Sequence, residues 1–154
     1  MTLAVEVSRA SRVSGVPSVR LLTRWAAAAA GRRGARAVVS LRIVGPTEGR
    51  RLNRDYRGKD YATNVLSFPA GAVAVVEPRP LGDLVVCASV VAREARVQRK
   101  TARAHWAHLV VHGVLHLLGH DHEDEDEARR MERREIAVLR ALGFANPYRM
   151  TAHG

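Results

Sequence analysis

Apolar and polar residues alternate from Thr2 to Ser8, the period of a strand. Ser14 to Pro17 reads as a turn. Ser18 can cap a helix that runs through an alanine-rich stretch with Trp25 to Ala30, and Gly31-Arg32-Arg33-Gly34 ends it. Val38, Val39, Leu41 and Ile43 predict a second strand over Ala37 to Val44. Gly45-Pro46-Thr47-Glu48 opens another helix, with Thr47 as the expected N-cap, reaching about Tyr56. Arg57-Gly58-Lys59-Asp60 is then a loop, and Val65 to Phe68 a short strand stopped by Pro69. Residues 70–80 carry the breakers Gly71, Pro78 and Pro80 and read as a loop. Leu84 to Val91 is the most apolar strand-like run, which predicts a central place in the sheet. The basic segment Arg93 to Arg103 starts a helix leading into Ala104 to Leu118, which is apolar, lacks Gly and Pro before Gly113, and reads as a buried helix. Glu123 to Glu127 are consecutive acids placed to meet the positive end of a final helix dipole. Arg129, Arg130, Arg133 and Arg134 follow at spacings that allow pairing with them. Met131, Ile136, Val138, Leu139 and Leu142 form its apolar side, and Gly143 its end.

Strands and helices alternate early, and helices dominate late. Helices between the early strands are crossovers, which favours parallel pairing. A chain of 154 residues is expected to form a single domain over 1–154, large enough to bury a core without disulfides. The one cysteine, Cys87, lies in an apolar run and reads as a small core residue, in keeping with a reducing cytoplasm. No secretory leader is recognisable at the start, and no apolar stretch reaches the ~18 residues of a membrane span.

The formal net charge of +10 is unevenly spread. Residues 1–60 hold 13 Lys or Arg against 4 Asp or Glu, a net of +9, and residues 61–154 hold 12 against 11, a net of +1. A one-sided basic field suits a polyanion such as nucleic acid. Only two of the 25 basic residues are lysine, so an arginine-rich genome contributes to that excess.

The chemistry concentrates at His112-Gly113-Val114-Leu115-His116-Leu117-Leu118-Gly119-His120-Asp121-His122. His112 and His116, four residues apart, share one helix face. Gly119 can take positive φ and end the helix, so that His122 returns to the same point. Three imidazoles on a helix and its turn form a tripod for a tetrahedral metal such as Zn²⁺, with the fourth position open to water. The spacing is that of the metzincin proteases, except that their general-base glutamate is replaced by Gly113. His105 and His108 lie along the same helix side as the pair. His108 sits one turn before His112, too far along to share an ion with His116, and reads as a supporting group. Asp121 can orient a ligand by accepting its other N–H.

The same stretch resembles the bacterial YbeY family, single-strand-specific metallo-endoribonucleases of ribosomal RNA maturation. The likeness rests on Tyr56-Arg57-Gly58-Lys59-Asp60, Thr63 to Pro69, Leu81-Gly82-Asp83, His105-Trp106-Ala107-His108 through His122, and Ala141 to Phe144 with Asn146-Pro147-Tyr148. Where the family often carries tyrosine, this chain has His120. The resemblance implies an α/β fold: a small, mostly parallel four-stranded sheet with one antiparallel strand, packed by helices. The cation pair Arg57 and Lys59 around Gly58 is in itself a workable phosphate grip, and the resemblance implies catalytic use of Arg57 beside the metal. Partners implied are single-stranded and small-subunit ribosomal RNA near its 3′ end, the ribosome, and a ribosomal protein or assembly GTPase. The general base stays open among metal hydroxide, His120 and the RNA 2′-hydroxyl. Two other readings compete: a peptidase, disfavoured by Gly113, and a non-catalytic ribosome-assembly factor whose structural zinc takes His120 or Asp121 as fourth ligand.

Overall fold

The computed structural model describes residues 3–10, 13–71, 77–119 and 124–149. The elements run β1 (Ala4–Arg9), α1 (Val19–Ala30), β2 (Ala37–Val44), α2 (Pro46–Arg57), β3 (Val65–Pro69), β4 (Arg79–Cys87), α3 (Ala88–Val97), α4 (Ala102–Leu117) and α5 (Glu125–Ala141), with a 3₁₀ turn at Gly31–Gly34. The four strands form one sheet in the order β1-β2-β4-β3. β1 and β4 pair with β2 in parallel, and only β3 runs antiparallel, on β4. The mostly parallel sheet expected from the alternation of elements is therefore present.

Helix starts follow local chemistry. Ser18 caps α1 through its hydroxyl, which accepts from Leu21 N at 3.2 Å, as expected. Thr101 caps α4 and Asp124 caps α5 in the same way. Thr47 does not cap α2: Gly45 takes that position and Pro46 is the first helical residue, where its missing N–H costs nothing. The acids Glu125, Asp126 and Glu127 lie in the first turn of α5, and Arg129 pairs with Asp126 at 2.7 Å.

The sheet divides two clusters. Val39, Leu41, Ile43, Leu84 and Val86 face α1, α4 and α5 and pack with Trp25, Trp106, Val110, Val114, Leu115 and Leu139. Val44, Leu66, Val85 and Cys87 point the other way, onto Val90 of α3 and Leu52 of α2. Cys87 is buried, as its apolar surroundings predict. The strand expected at Leu84 to Val91 is displaced. β4 begins at Arg79, inside the expected loop, and stops at Cys87, where α3 takes over. Both halves of the run are buried apart from Ser89, so hydrophobicity alone carries too little period to mark the change. The helix start expected at Arg93 is the second half of α3, and a break at 98–101 separates it from α4. Among the described residues no helix is long and apolar enough to cross a membrane.

Candidate metal centre

α4 crosses β3 and β4 with its histidines in file. Ring centroids are 6.2 Å apart for His105–His108, 6.1 Å for His108–His112 and 4.7 Å for His112–His116. The approach of α4 to the sheet depends on Gly113. A Cβ there would lie 2.8 Å from Leu84 Cδ2 in the closed core. A glutamate, the residue a metzincin carries at this point, has no room, and the peptidase reading loses its base for a packing reason. Gly119 has φ 95°, so the helix ends as its glycine predicts.

Behind the histidines stands a group that was not evident in the sequence. Glu135 of α5 is 1% exposed. Its Oε1 lies 2.6 Å from His112 Nδ1 and 3.3 Å from His108 Nε2, and its Oε2 accepts from the Tyr148 hydroxyl at 2.6 Å. Burial alone pushes this carboxyl up. Hydrogen bonds from His108 and His112, the charge on His112 and the Tyr148 hydroxyl outweigh it and hold the group at about 2. The same bond and burial raise the Tyr148 hydroxyl well above its ordinary range, so it stays a donor. An ionised carboxylate only accepts, so the His112 nitrogen that faces it, Nδ1, carries a proton.

His108, His112 and Glu135 offer ligand atoms within 4.8 Å of one another and can hold a metal ion. In the present geometry they are hydrogen-bonded instead. Two ligands of one tetrahedral zinc sit about 3.3 Å apart at ordinary bond lengths, farther than the 2.6 Å between His112 and Glu135. This is the carboxylate–imidazole arrangement that fixes the tautomer and rotamer of a metal-binding histidine. The arrangement leaves His112 Nε2, the nitrogen that does not face Glu135, as the one such a histidine offers to a metal. His108 also contacts the carboxylate, 3.3 Å from Glu135 Oε1. Its Nε2 lies 3.3 Å from the Tyr148 oxygen, and its buried Nδ1 has no partner among the described residues. The tail reaches the site because Lys100 Nζ donates to Pro147 O at 2.9 Å.

His105 is a core residue: its Nε2 lies 2.8 Å from Glu94 Oε1, which also accepts from Asn64 Nδ2. Burial lowers its pKa against the pull of Glu94. Arg57 ends α2 and is exposed, with no hydrogen bond or ion pair to any described residue. Gly58, at φ 71°, turns the chain after it, and buried Asn53 donates to Tyr61 O at 2.8 Å to hold the turn. Lys59 is exposed in that turn, whereas Asp60 is occupied by a two-pronged pair with Arg50 at 2.7 and 2.9 Å. Arg57 and Lys59 are thus exposed cations of this loop whose side chains have no partner among the described residues. His120, Asp121 and His122 lie outside the described residues.

Residues 17–143 match the family model described as Endoribonuclease YbeY. The chain belongs to the YbeY family. A relative from Alkalilimnicola ehrlichii, named Endoribonuclease YbeY, is 57% identical over 141 residues, 89% of this chain and 85% of its own. Another of that name, from Stenotrophomonas maltophilia, is 53% identical over 150 residues, 95% of this chain and 93% of its own. The solution structure of TM1509 from Thermotoga maritima superposes with a TM-score of 0.57 at 23% identity, covering 94% of this chain and 99% of that one. That likeness supports the family's fold, on which the histidine file and Glu135 are built.

The Glu135 bridge sets an acid limit on stability. The carboxyl titrates near 4.5 when free and at about 2 in the fold. Its stabilisation is therefore complete above about pH 4.5 and is lost as pH falls toward 2. The difference amounts to about 3 kcal/mol. Urea unfolding of chelated protein between pH 6 and 3 is expected to show this loss. Glu135→Gln should flatten that part of the profile, and an unchanged profile would show that the carboxylate is not held as described.

Proposed function

We propose that this chain is a metal-dependent, single-strand-specific endoribonuclease acting in 16S rRNA 3′-end maturation and late ribosome quality control. Family membership supports the endoribonuclease role. The observation that carries the metal reading is the 2.6 Å contact between His112 Nδ1 and buried Glu135, which leaves Nε2 as the nitrogen available to a metal. In this reading residues 1–154 act as one domain, and His112, His116 and His122 hold one Zn²⁺. Zinc in such a site supplies a water of lowered pKa and a Lewis acid for a phosphoryl oxygen.

The chain's own residues do the rest. Glu135 and Tyr148 hold His112 in one tautomer. Arg57, whose side chain has no partner among the described residues, stabilises the charge that gathers on the scissile phosphate, and Lys59 binds a neighbouring phosphate. Asp121 orients a ligand imidazole, and the base is the metal hydroxide, His120 or the RNA 2′-hydroxyl. The partners are small-subunit rRNA, the ribosome, and a ribosomal protein or assembly GTPase, in the cytoplasm.

Arg57→Ala is expected to lower kcat by about 10²–10³-fold, the usual loss on removing one preorganised donor to a transition-state charge. Zinc content and unfolding midpoint should not change, because the side chain is exposed and unpaired. Retained kcat would remove Arg57 from the chemistry.

Metal analysis tests the ligand set. Purified protein should carry one zinc per chain, lost in His116→Ala and in His122→Ala. Chelation should abolish RNA cleavage while circular dichroism still reports a folded chain. Unfolding on chelation, with no cleavage by the loaded protein, would instead favour the assembly factor with structural zinc.

A further inference from the structure

Parallel strands are ordinarily covered on both faces. Here the face of the sheet opposite α4 is covered only in part, and the remainder forms a groove of about 490 Å³ walled by α2. The volume falls within the range of small-ligand sites, about 300–1,000 Å³. Strand register lays out its floor. Ser40 pairs with Asp83, and Asp83 pairs with Phe68, so the three stand side by side across β2, β4 and β3. Ser8 and Arg42, paired between β1 and β2, form the adjoining row.

The polar groups of the groove differ in what they already hold. Arg42 is matched by Glu48 through two bonds, at 2.8 and 3.2 Å. The Asp83 side chain makes no hydrogen bond or ion pair with any described residue, although it lines the same groove. Beside it, Tyr56 meets Phe68 edge-to-face at 5.4 Å and is 68% exposed, the rest of its ring facing solvent. An open aromatic face next to an unpaired carboxylate calls for a flat ligand with a hydrogen-bond-donating edge. Guanine alone among the RNA bases presents two adjacent donors, N1–H and N2–H, to one carboxylate. Unstacked bases of single-stranded RNA are read in this manner, by aromatic stacking and by their Watson–Crick edge. Arg51 and Arg57, on the helix that walls the groove, form no hydrogen bond with described residues and are available to the flanking phosphates. The groove also adjoins the metal helix across one strand. Ser67, the neighbour of Phe68, points to the other face, where its Oγ lies 3.5 Å from Gly113 O.

We propose that this groove is a base-reading subsite, in which one guanine of the single-stranded substrate stacks on Tyr56 with its donor edge on Asp83. The inference rests on the endoribonuclease reading and extends it to sequence preference.

The test uses the full chain and fluorescent eight-nucleotide 2′-O-methyl oligonucleotides, one all uridine and one with a single central guanosine, followed by anisotropy. Gel analysis afterwards confirms that they remain intact. Wild type is expected to bind the guanosine oligonucleotide about 5- to 10-fold more tightly, a fraction of the discrimination a full base contact can give. Asp83→Asn should abolish the preference while binding oligouridylate as wild type does. Tyr56→Ala should weaken both by about 5-fold or more, as loss of a stacking platform does. Both positions are exposed, so the variants should fold. Equal binding of the two oligonucleotides by wild type, or a preference that survives Asp83→Asn, overturns the subsite and leaves the nuclease reading standing if RNA is still cut. No binding of either, together with no cleavage, overturns both.

Discussion

Glu135→Ala is expected to destabilise the protein by about 3–5 kcal/mol, the usual result of removing one partner from a buried charged network. The substitution leaves the His112 Nδ1–H, the His108 Nε2–H and the Tyr148 hydroxyl without their shared acceptor. Each is a donor in or against the core, and each unmet donor costs about 1–3 kcal/mol. Glu135→Gln separates the fold from the metal. It preserves the volume but offers one carbonyl oxygen to three donors. Its stability loss should be smaller, while zinc affinity, measured against a competing chelator, should fall about 10- to 100-fold, as for other supporting partners of metal histidines. Tyr148→Phe removes the hydroxyl's bond to Glu135 and its longer contact with His108 and should cost about 1 kcal/mol. Wild-type zinc affinity in Glu135→Gln would mean that His112 needs no bracing.

Gly113→Glu, which restores the metzincin base to the sequence, is expected not to yield a folded protein. The first added carbon already stands 2.8 Å from Leu84 Cδ2, and Leu84 is completely buried. The remaining atoms would carry a carboxylate into an apolar contact between α4 and β4, against a total stability of about 5–15 kcal/mol. Gly113→Ala isolates the steric part. Overpacking of about 1–3 kcal/mol is offset by up to about 1 kcal/mol of helix propensity, for a net loss near 1 kcal/mol. Gly82→Ala should be worse, because its φ is 142° and a Cβ would run into the Phe68 carbonyl oxygen and Leu117. Thermal unfolding of the three variants checks the order. A stable Gly113→Glu protein would show that α4 does not approach the sheet as closely as described.

Spacing in the chain was enough to place His112 and His116 together, because an i, i+4 pair on a helix has no other option. It was also enough to predict the helix end at Gly119 and the parallel sheet, since both follow from local rules. Glu135 escaped because its role depends on α5 packing against α4. A signal was present, however: Glu135 falls on the stripe of Met131, Val138 and Leu139, where an acid has no reason to be unless something inside receives it. Tyr148 gave no comparable sign, since a tail residue acquires a function only when Lys100 holds the segment down. The boundary between β4 and α3 was illegible for a different reason. A strand buried on both faces and a buried helix start look alike in hydrophobicity, and the change at Cys87–Ala88 is set by the tertiary fold.

The most direct test of the metal centre is cleavage of an unstructured RNA by wild type and His116→Ala, purified side by side in zinc. The wild type is expected to cut. The variant, folded by circular dichroism, is expected not to. Equal cleavage by both would assign the activity to a contaminant and contradict the account. Cleavage by neither, across zinc, manganese and magnesium, would contradict it as well.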